Sequence, residues 1–258
     1  MASTSGIAWS QIQALSFDIF GTLIDWEGGI YAAAKASALG PYLTGSRKEV
    51  LQGIGRHDVA VQREHPTMRQ RDVIALGLRR YADELKLVEQ GKVSQETVEA
   101  ASKEYGAKIG DYPAFDDTVE AMSRLRKMGF KLVPLTNVDN ESFDGTMAGP
   151  LREVKFDAIY TAEDVGCYKP DLRNFHYLLE HLKGDLEVEK EGLCHVAQSI
   201  FHDHEPAKAM GIRSVWVDRK GALGGEMEEG QQEKYGFQLK VESLAELAGI
   251  IEREMGKA

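Results

Sequence analysis

The stretch Ala14-Leu15-Ser16-Phe17-Asp18-Ile19-Phe20-Gly21-Thr22-Leu23 sets an apolar run directly against an acidic residue, a glycine and a hydroxyl. A short apolar run of this kind reads as a buried strand, since strands covered on both faces of a parallel sheet are apolar throughout. Asp18 then falls at the carboxyl end of a first strand, where open α/β sheets bind their ligands. Gly21 lets the chain turn there. The Thr22 hydroxyl is available to orient a carboxylate or an incoming anion.

The pattern recurs along the chain. Residues 131–136 (KLVPLT), 156–162 (FDAIYTA), 193–199 (LCHVAQS) and 213–218 (RSVWVD) read as further buried strands, and 237–241 (FQLKV) as a short last one. Between them, 116–129 carries Val119, Met122, Leu125 and Met128 at spacings of three and ends on Gly129, an amphipathic helix. Residues 170–182 behave similarly, with Pro170 at a helix start, and a final helix is expected over 243–255. Strands alternating with helices predict an α/β fold, a doubly wound parallel sheet covered on both faces.

The interval 28–112 breaks this rhythm. It shows helical stretches near 29–39, 46–64, 70–87 and 94–109 and no convincing strand. The expected organisation is an α/β core over 1–27 and 113–258, with a helical cap over 28–112 inserted after the first strand. Gly28-Gly29 and Asp111-Tyr112-Pro113 are the expected hinges. The acidic, glycine-rich stretch 221–236 reads as a solvated loop.

Composition narrows the function classes. With 31 basic and 41 acidic side chains, the formal charge is −10, which argues against a nucleic-acid binder. An anionic small molecule stays compatible, because a pocket can be locally positive in an acidic protein. Cys167 and Cys194 lie in unrelated segments and build no disulfide framework, which points to a reducing, cytoplasmic setting. The first residues show neither the basic nor the apolar region of a signal peptide. No run approaches ~18 apolar residues, so no membrane span is expected.

Chemistry-bearing residues follow successive strands: Asp18; Thr136-Asn137; Tyr168-Lys169-Pro170; and Gln198-Ser199-Ile200-Phe201-His202-Asp203. In a parallel sheet these ends converge on one crevice. Taken singly, each has a plainer reading. Asp18 could cap a turn, Asn137 could sit in one, Lys169 could be a surface lysine, and Glu205 reads as a charge at a helix N-terminus. His57, His65, His195, His202 and His204 show no metal-ligand spacing, and surface or capping roles are the default for the pair that flanks Asp203.

Taken together, DIFGTL (18–23), LTN (135–137), YKP (168–170) and SIFHDHEPAKAMGI (199–212) resemble the four ordered motifs of the haloacid dehalogenase superfamily. The resemblance covers roughly 14–24 and 114–218, and the cap matches it in position and helical character alone. It implies a Rossmannoid core and a catalytic set of Asp18, Lys169 and Asp203. The resemblance assigns Asp18 the role of nucleophile forming a covalent ester and Lys169 that of keeping it ionised, and it has Asp203 act on Lys169 or on water, or ligate a metal through water. The candidate substrate-binding residues are Phe20, Thr22, Arg56, Thr136, Asn137 and Gln198. Arg56 is the foremost of several cap arginines, with Arg47, Arg63 and Arg69 as alternatives, for receiving a leaving halide.

Two departures choose among the family's reactions. Its phosphatases carry a second Asp two residues after the nucleophile, which protonates the leaving oxygen; Phe20 stands there. They also carry an acidic Mg²⁺ ligand where this chain has Gln198, and Mg²⁺ prefers carboxylate oxygen. A halide needs neither a proton nor a cation on a phosphoryl group, and an aromatic residue at Phe20 is typical of the metal-independent 2-haloacid dehalogenases. That branch, in turn, usually shows Ser and Asn where Gln198 and Ile200 stand, so the native substrate need not contain a halogen. The expectation is a divergent dehalogenase-like hydrolase with no cofactor, acting on a small anionic substrate, with room for a homodimer. The alternatives are a Mg²⁺-dependent phosphatase and a non-catalytic binding module.

Overall fold

A computed structural model of the chain describes residues 6–219 and 232–256. Six strands form one parallel sheet: β1 (Ala14–Phe17), β2 (Lys131–Thr136), β3 (Tyr160–Thr161), β4 (Leu193–Ala197), β5 (Arg213–Val217) and β6 (Leu239–Val241). Their order, β3-β2-β1-β4-β5-β6, is the doubly wound order, with the direction of winding reversing at β1 and β4. Helices lie on both sides of the sheet. β1 and β4 are buried along their whole lengths, which is why they read as uninterrupted apolar runs.

The expected strands are all present, 131–136 over its full length and the others shorter. The 156–162 run contributes only Tyr160–Thr161, and the first strand stops at Phe17. Asp18 still extends the pairing, since its N–H donates to Val196 O at 3.1 Å. The predicted helices appear as Thr118–Lys127, Arg173–Leu186 and Leu244–Met255. Arg173–Leu186 lays Phe175, Leu178 and Leu182 against Ala14, Val133, Leu135 and Leu193, forming one side of the core. Most of the 221–236 stretch lies outside the described residues. Among the described residues no helix is long and apolar enough to cross a membrane.

The chain divides into two compact units. The first comprises 1–24, 114–137 and 151–258; the second comprises 25–113 and 138–150. Ile24 bridges Ala114 in the first unit, and Asp25 N–H donates to Pro113 O at 2.8 Å in the second, so the two passes of the chain, 24/25 and 113/114, run side by side. Gly28-Gly29 is not a hinge. Both residues lie within the helix Trp26–Ala36, whose N-cap Asp25 accepts a bond from Gly28 N–H at 2.9 Å.

The second unit is helical, with Trp26–Ala36, Arg47–Glu64, Gln70–Glu84 and Gln95–Ala107. Ser46 and Glu49 form a reciprocal capping box at the start of the second of these. This unit also takes a segment that the sequence boundaries assign to the core, the helix Asn140–Ala148. The reason is a close backbone approach: a Cβ on Gly110 would lie 3.1 Å from Gly145 Cα and 3.0 Å from Ser142 O. Only paired glycines let the two segments pack so tightly.

Candidate active site

The site is built where the winding reverses, from the residues that follow β1, β2 and β4 and from the segment before helix Arg173–Leu186. Gly21 turns the chain after β1 at φ 97°, with its N–H donating to Ile24 O at 2.8 Å. That turn brings Thr22 back beneath Asp18. The Thr22 hydroxyl donates to Asp18 Oδ2 at 2.8 Å and accepts from the Gln198 N–H at 2.9 Å. The nucleophile candidate is thus braced by the backbone of the fourth motif through one hydroxyl.

Lys169 is 2% exposed and uses all three ammonium protons. Nζ donates to Asp18 Oδ1 at 2.9 Å, to Asp203 Oδ1 at 2.7 Å and to Leu135 O at 2.8 Å. Its main chain is clamped as well. Asn137 Nδ2 donates to Lys169 O at 3.0 Å, and Lys169 N–H donates to Asn137 Oδ1 at 2.7 Å. The Lys169–Pro170 peptide bond is cis.

Asp203 is fully buried within the helical turn Ile200–His204. Its Oδ1 accepts from Lys169 and pairs with His195 Nε2 at 3.0 Å, while Oδ2 has no hydrogen-bond partner among the described residues. Thr136 Oγ1 and Gln198 Nε2 are likewise buried and unbonded among the described residues. Buried polar groups are almost always satisfied, so these three atoms, on residues that follow or end β2 and β4, are candidates for polar contacts with a substrate or water. Asp18 and Asp203 flank one ammonium, and the ring of Phe20 follows two residues after Asp18 and is partly buried.

The model of the haloacid dehalogenase-like hydrolase family matches residues 12–211. This chain is a haloacid dehalogenase-like hydrolase. The hydrolase is 37% identical over 92 residues to haloacid dehalogenase-like hydrolase domain-containing protein 3 of Mus musculus. That match takes in 36% of this chain but spans only 35% of the mouse protein. It is 23% identical over 252 residues to (S)-2-haloacid dehalogenase 4A of Burkholderia cepacia, covering 96% of this chain and 98% of that one. Among solved structures, a dehalogenase described with an intermediate complex superposes with a TM-score of 0.71 at 19% identity. It covers 93% of this chain and 97% of that one, a likeness of fold.

The electrostatics of the hydrolase's site are set by burial against pairing. Burial, aided by the neighbouring Asp203 charge, holds the Asp18 carboxyl above its ordinary value against the pull of Lys169 and Thr22. Burial alone would lower Lys169, but the two carboxylates outweigh it and raise the ammonium's pKa. Burial would raise Asp203, yet Lys169 and His195 hold it well below the usual carboxylate range. The result is a permanent cation between two carboxylates of unequal acidity.

All the predicted site residues except Arg56 belong to the first unit. Arg56 lies in the second, 59% exposed in its side chain, with Nη2 bonded to both Glu84 oxygens at 2.7 and 2.9 Å. Gln198 contributes its backbone, whose carbonyl also accepts from Trp216 Nε1 at 2.9 Å. Asn137 spends its amide on holding Lys169.

The histidines require correction. His204 is neither a surface nor a capping residue. It is fully buried, with Nδ1 3.0 Å from Ser214 Oγ and Nε2 3.0 Å from Ala197 O, and burial pushes its pKa down to about 4. The segment carrying it is the helical turn Ile200–His204. Ser16 and His195 were invisible as site residues. The available signal was a single polar residue within each of two apolar strands, which must find a buried partner.

Proposed function

We propose that this hydrolase displaces the halide of a small 2-haloacid, or a comparable leaving group, through a covalent ester on Asp18. The observation that carries the reading is the Lys169 ammonium bonded to Asp18 Oδ1 and Asp203 Oδ1, beside positions 20 and 198 that hold Phe and Gln. An ion-paired, desolvated carboxylate held by two directional bonds is oriented for attack at carbon. A phosphate ester would need a proton for its leaving oxygen, and neither residue supplies one.

In the first step an Asp18 carboxylate oxygen attacks the carbon bearing the halogen. The carbon–halogen bond breaks and the halide leaves with the bonding pair. In the second step water attacks the Asp18 ester carbonyl carbon, passing a proton to Asp203 Oδ2. The tetrahedral adduct collapses, the hydroxy-acid oxygen departs and takes the proton back from Asp203, and Asp18 ionises to complete the cycle. Lys169 keeps Asp18 oriented throughout. Thr136 Oγ1 and Gln198 Nε2 supply polar contacts for the substrate carboxylate.

A divalent cation, which phosphatases of the family use, finds a poor donor set in these residues. The two carboxylates already share an ammonium, Gln198 offers an amide, and no three His, Cys, Asp or Glu side chains cluster as ligands among the described residues. The test is release of chloride from 2-chloropropionate and of phosphate from an ester panel, each with Mg²⁺ and with EDTA. Chloride release indifferent to EDTA is expected. Strong Mg²⁺-dependent phosphate release with no dehalogenation would replace this reading with the phosphatase one.

A further inference from the structure

Ser16 and His195 sit opposite each other in the register of β1 and β4 and are both completely buried. Ser16 Oγ lies 2.8 Å from His195 Nδ1, and His195 Nε2 lies 3.0 Å from Asp203 Oδ1. The Phe175 ring closes the imidazole edge-on at 5.3 Å. Asp203 as a carboxylate can only accept, so the proton between it and the ring belongs to Nε2. In the neutral ring Nδ1 is then an acceptor, and the Ser16 hydroxyl donates to it. The chain of bonds runs one way, from Ser16 through His195 to Asp203.

That direction has a consequence for Asp203. With Lys169 at 2.7 Å and His195 at 3.0 Å, both donors fall on Oδ1. Oδ2 is left buried and unbonded among the described residues. We infer that His195, whose Nε2 proton is directed to Asp203 while Ser16 meets its Nδ1, is a positioning residue that anchors Asp203 by Oδ1 and so reserves Oδ2 for the water that opens the Asp18 ester. The inference rests on the proposed function for the identity of the second step, but the anchoring itself does not depend on any substrate. His195 touches no reacting atom. Its contribution is confined to ester hydrolysis, because Asp18 is held for the first step by Lys169 and Thr22.

Two measurements test this separately. In protein labelled with nitrogen-15 in its histidines, the His195 Nε2 should carry a proton coupled to the ring; a bare Nε2 would overturn the anchoring whatever the enzyme's substrate. In rapid-quench kinetics with a 2-haloacid, His195→Phe should slow ester hydrolysis by about tenfold or more while halide release in the first turnover stays near the wild-type rate. The Asp18 ester would then accumulate and appear by intact mass. Ser16→Ala should show the same split more weakly, and His195→Gln, which retains an N–H donor, should recover part of the lost rate. Equal slowing of both steps would overturn the inference, since that is what general loosening of the core produces. If His195→Phe does not fold, the Ser16→Ala split and the Nε2 proton decide. If no 2-haloacid is turned over by the wild type, the proposed function fails while the Nε2 proton still decides the anchoring.

Discussion

Lys169 Nζ lies 2.9 Å from Asp18 Oδ1 although 151 positions separate the two residues, and neither side chain is accessible enough for water to take the other's place. A pair so buried is costly to assemble and costlier to break. Removing one partner leaves an uncompensated charge inside the protein. The pairing therefore makes distinct demands on the two residues, which substitution can separate.

Asp18→Asn keeps the volume and an oxygen for Lys169 but removes the nucleophile. Turnover should fall by at least about a thousandfold, with the far-ultraviolet circular dichroism of the wild type retained. A folded variant keeping a tenth of the activity would mean that Asp18 is not the attacking group.

Lys169→Met leaves Asp18 and Asp203 facing each other without a cation. The variant should lose about 3–5 kcal/mol of stability in denaturant melts and nearly all activity. The surface control Lys208→Met, whose Nζ bonds the exposed Lys234 O, should change each only slightly. Similar modest effects from both would make Lys169 an ordinary charge.

The acid limb follows from the shifts. Asp18 must be ionised to attack, and its carboxyl is raised above 3.8 by burial, so kcat/KM should fall as pH drops through a value above the ordinary carboxylate one. Asp203 is lowered instead. Its contribution to stability is complete above the ordinary carboxylate value and is lost as pH falls toward the depressed folded value. Activity should thus be lost at a higher pH than the Asp203 contribution to stability, seen by comparing rate and melting profiles. Coincident losses would contradict the assignment of opposite shifts.

Restoring carboxylates with Phe20→Asp and Gln198→Asp together should create or raise Mg²⁺-dependent phosphate release and lower dehalogenation. The first supplies a proton donor and the second a cation ligand. Some stability should be lost, because Asp at 20 puts a second negative charge beside Asp18. Unchanged specificity in the double variant would show that these positions do not select the reaction.

Much of this was legible in the chain itself. The apolar runs at 14–20, 131–136, 193–199 and 213–218 read as strands buried on both faces, and the polar residues that follow them meet where parallel strands end. Asp18, Lys169 and Asp203, which the structure brings together, are nominated that way, and the motif resemblance implies their roles. What stayed hidden depends on register and packing. Ser16 meets His195 only because β1 and β4 are adjacent in that alignment, and adjacency of the first and fourth strands is not written in local periodicity. The helix Asn140–Ala148 joins the second unit through a contact of Gly110 with Gly145, two residues that look like ordinary punctuation in sequence. Asn137 and Gln198 are expected from sequence to contact substrate, whereas their observed bonds, a clamp on the Lys169 backbone and a backbone donor to Thr22, are tertiary facts.

The central claim is that Asp18 forms an ester opened by water at its own carbonyl carbon. It is tested most directly by a single turnover in oxygen-18 water, with enzyme in excess over a 2-haloacid. The heavy oxygen should enter the Asp18 carboxylate, located by peptide mass spectrometry, and the hydroxy-acid product should leave with an unlabelled oxygen taken from Asp18. Label in the first-turnover product and none in Asp18 would mean that water attacks the substrate directly, and the covalent account would be wrong.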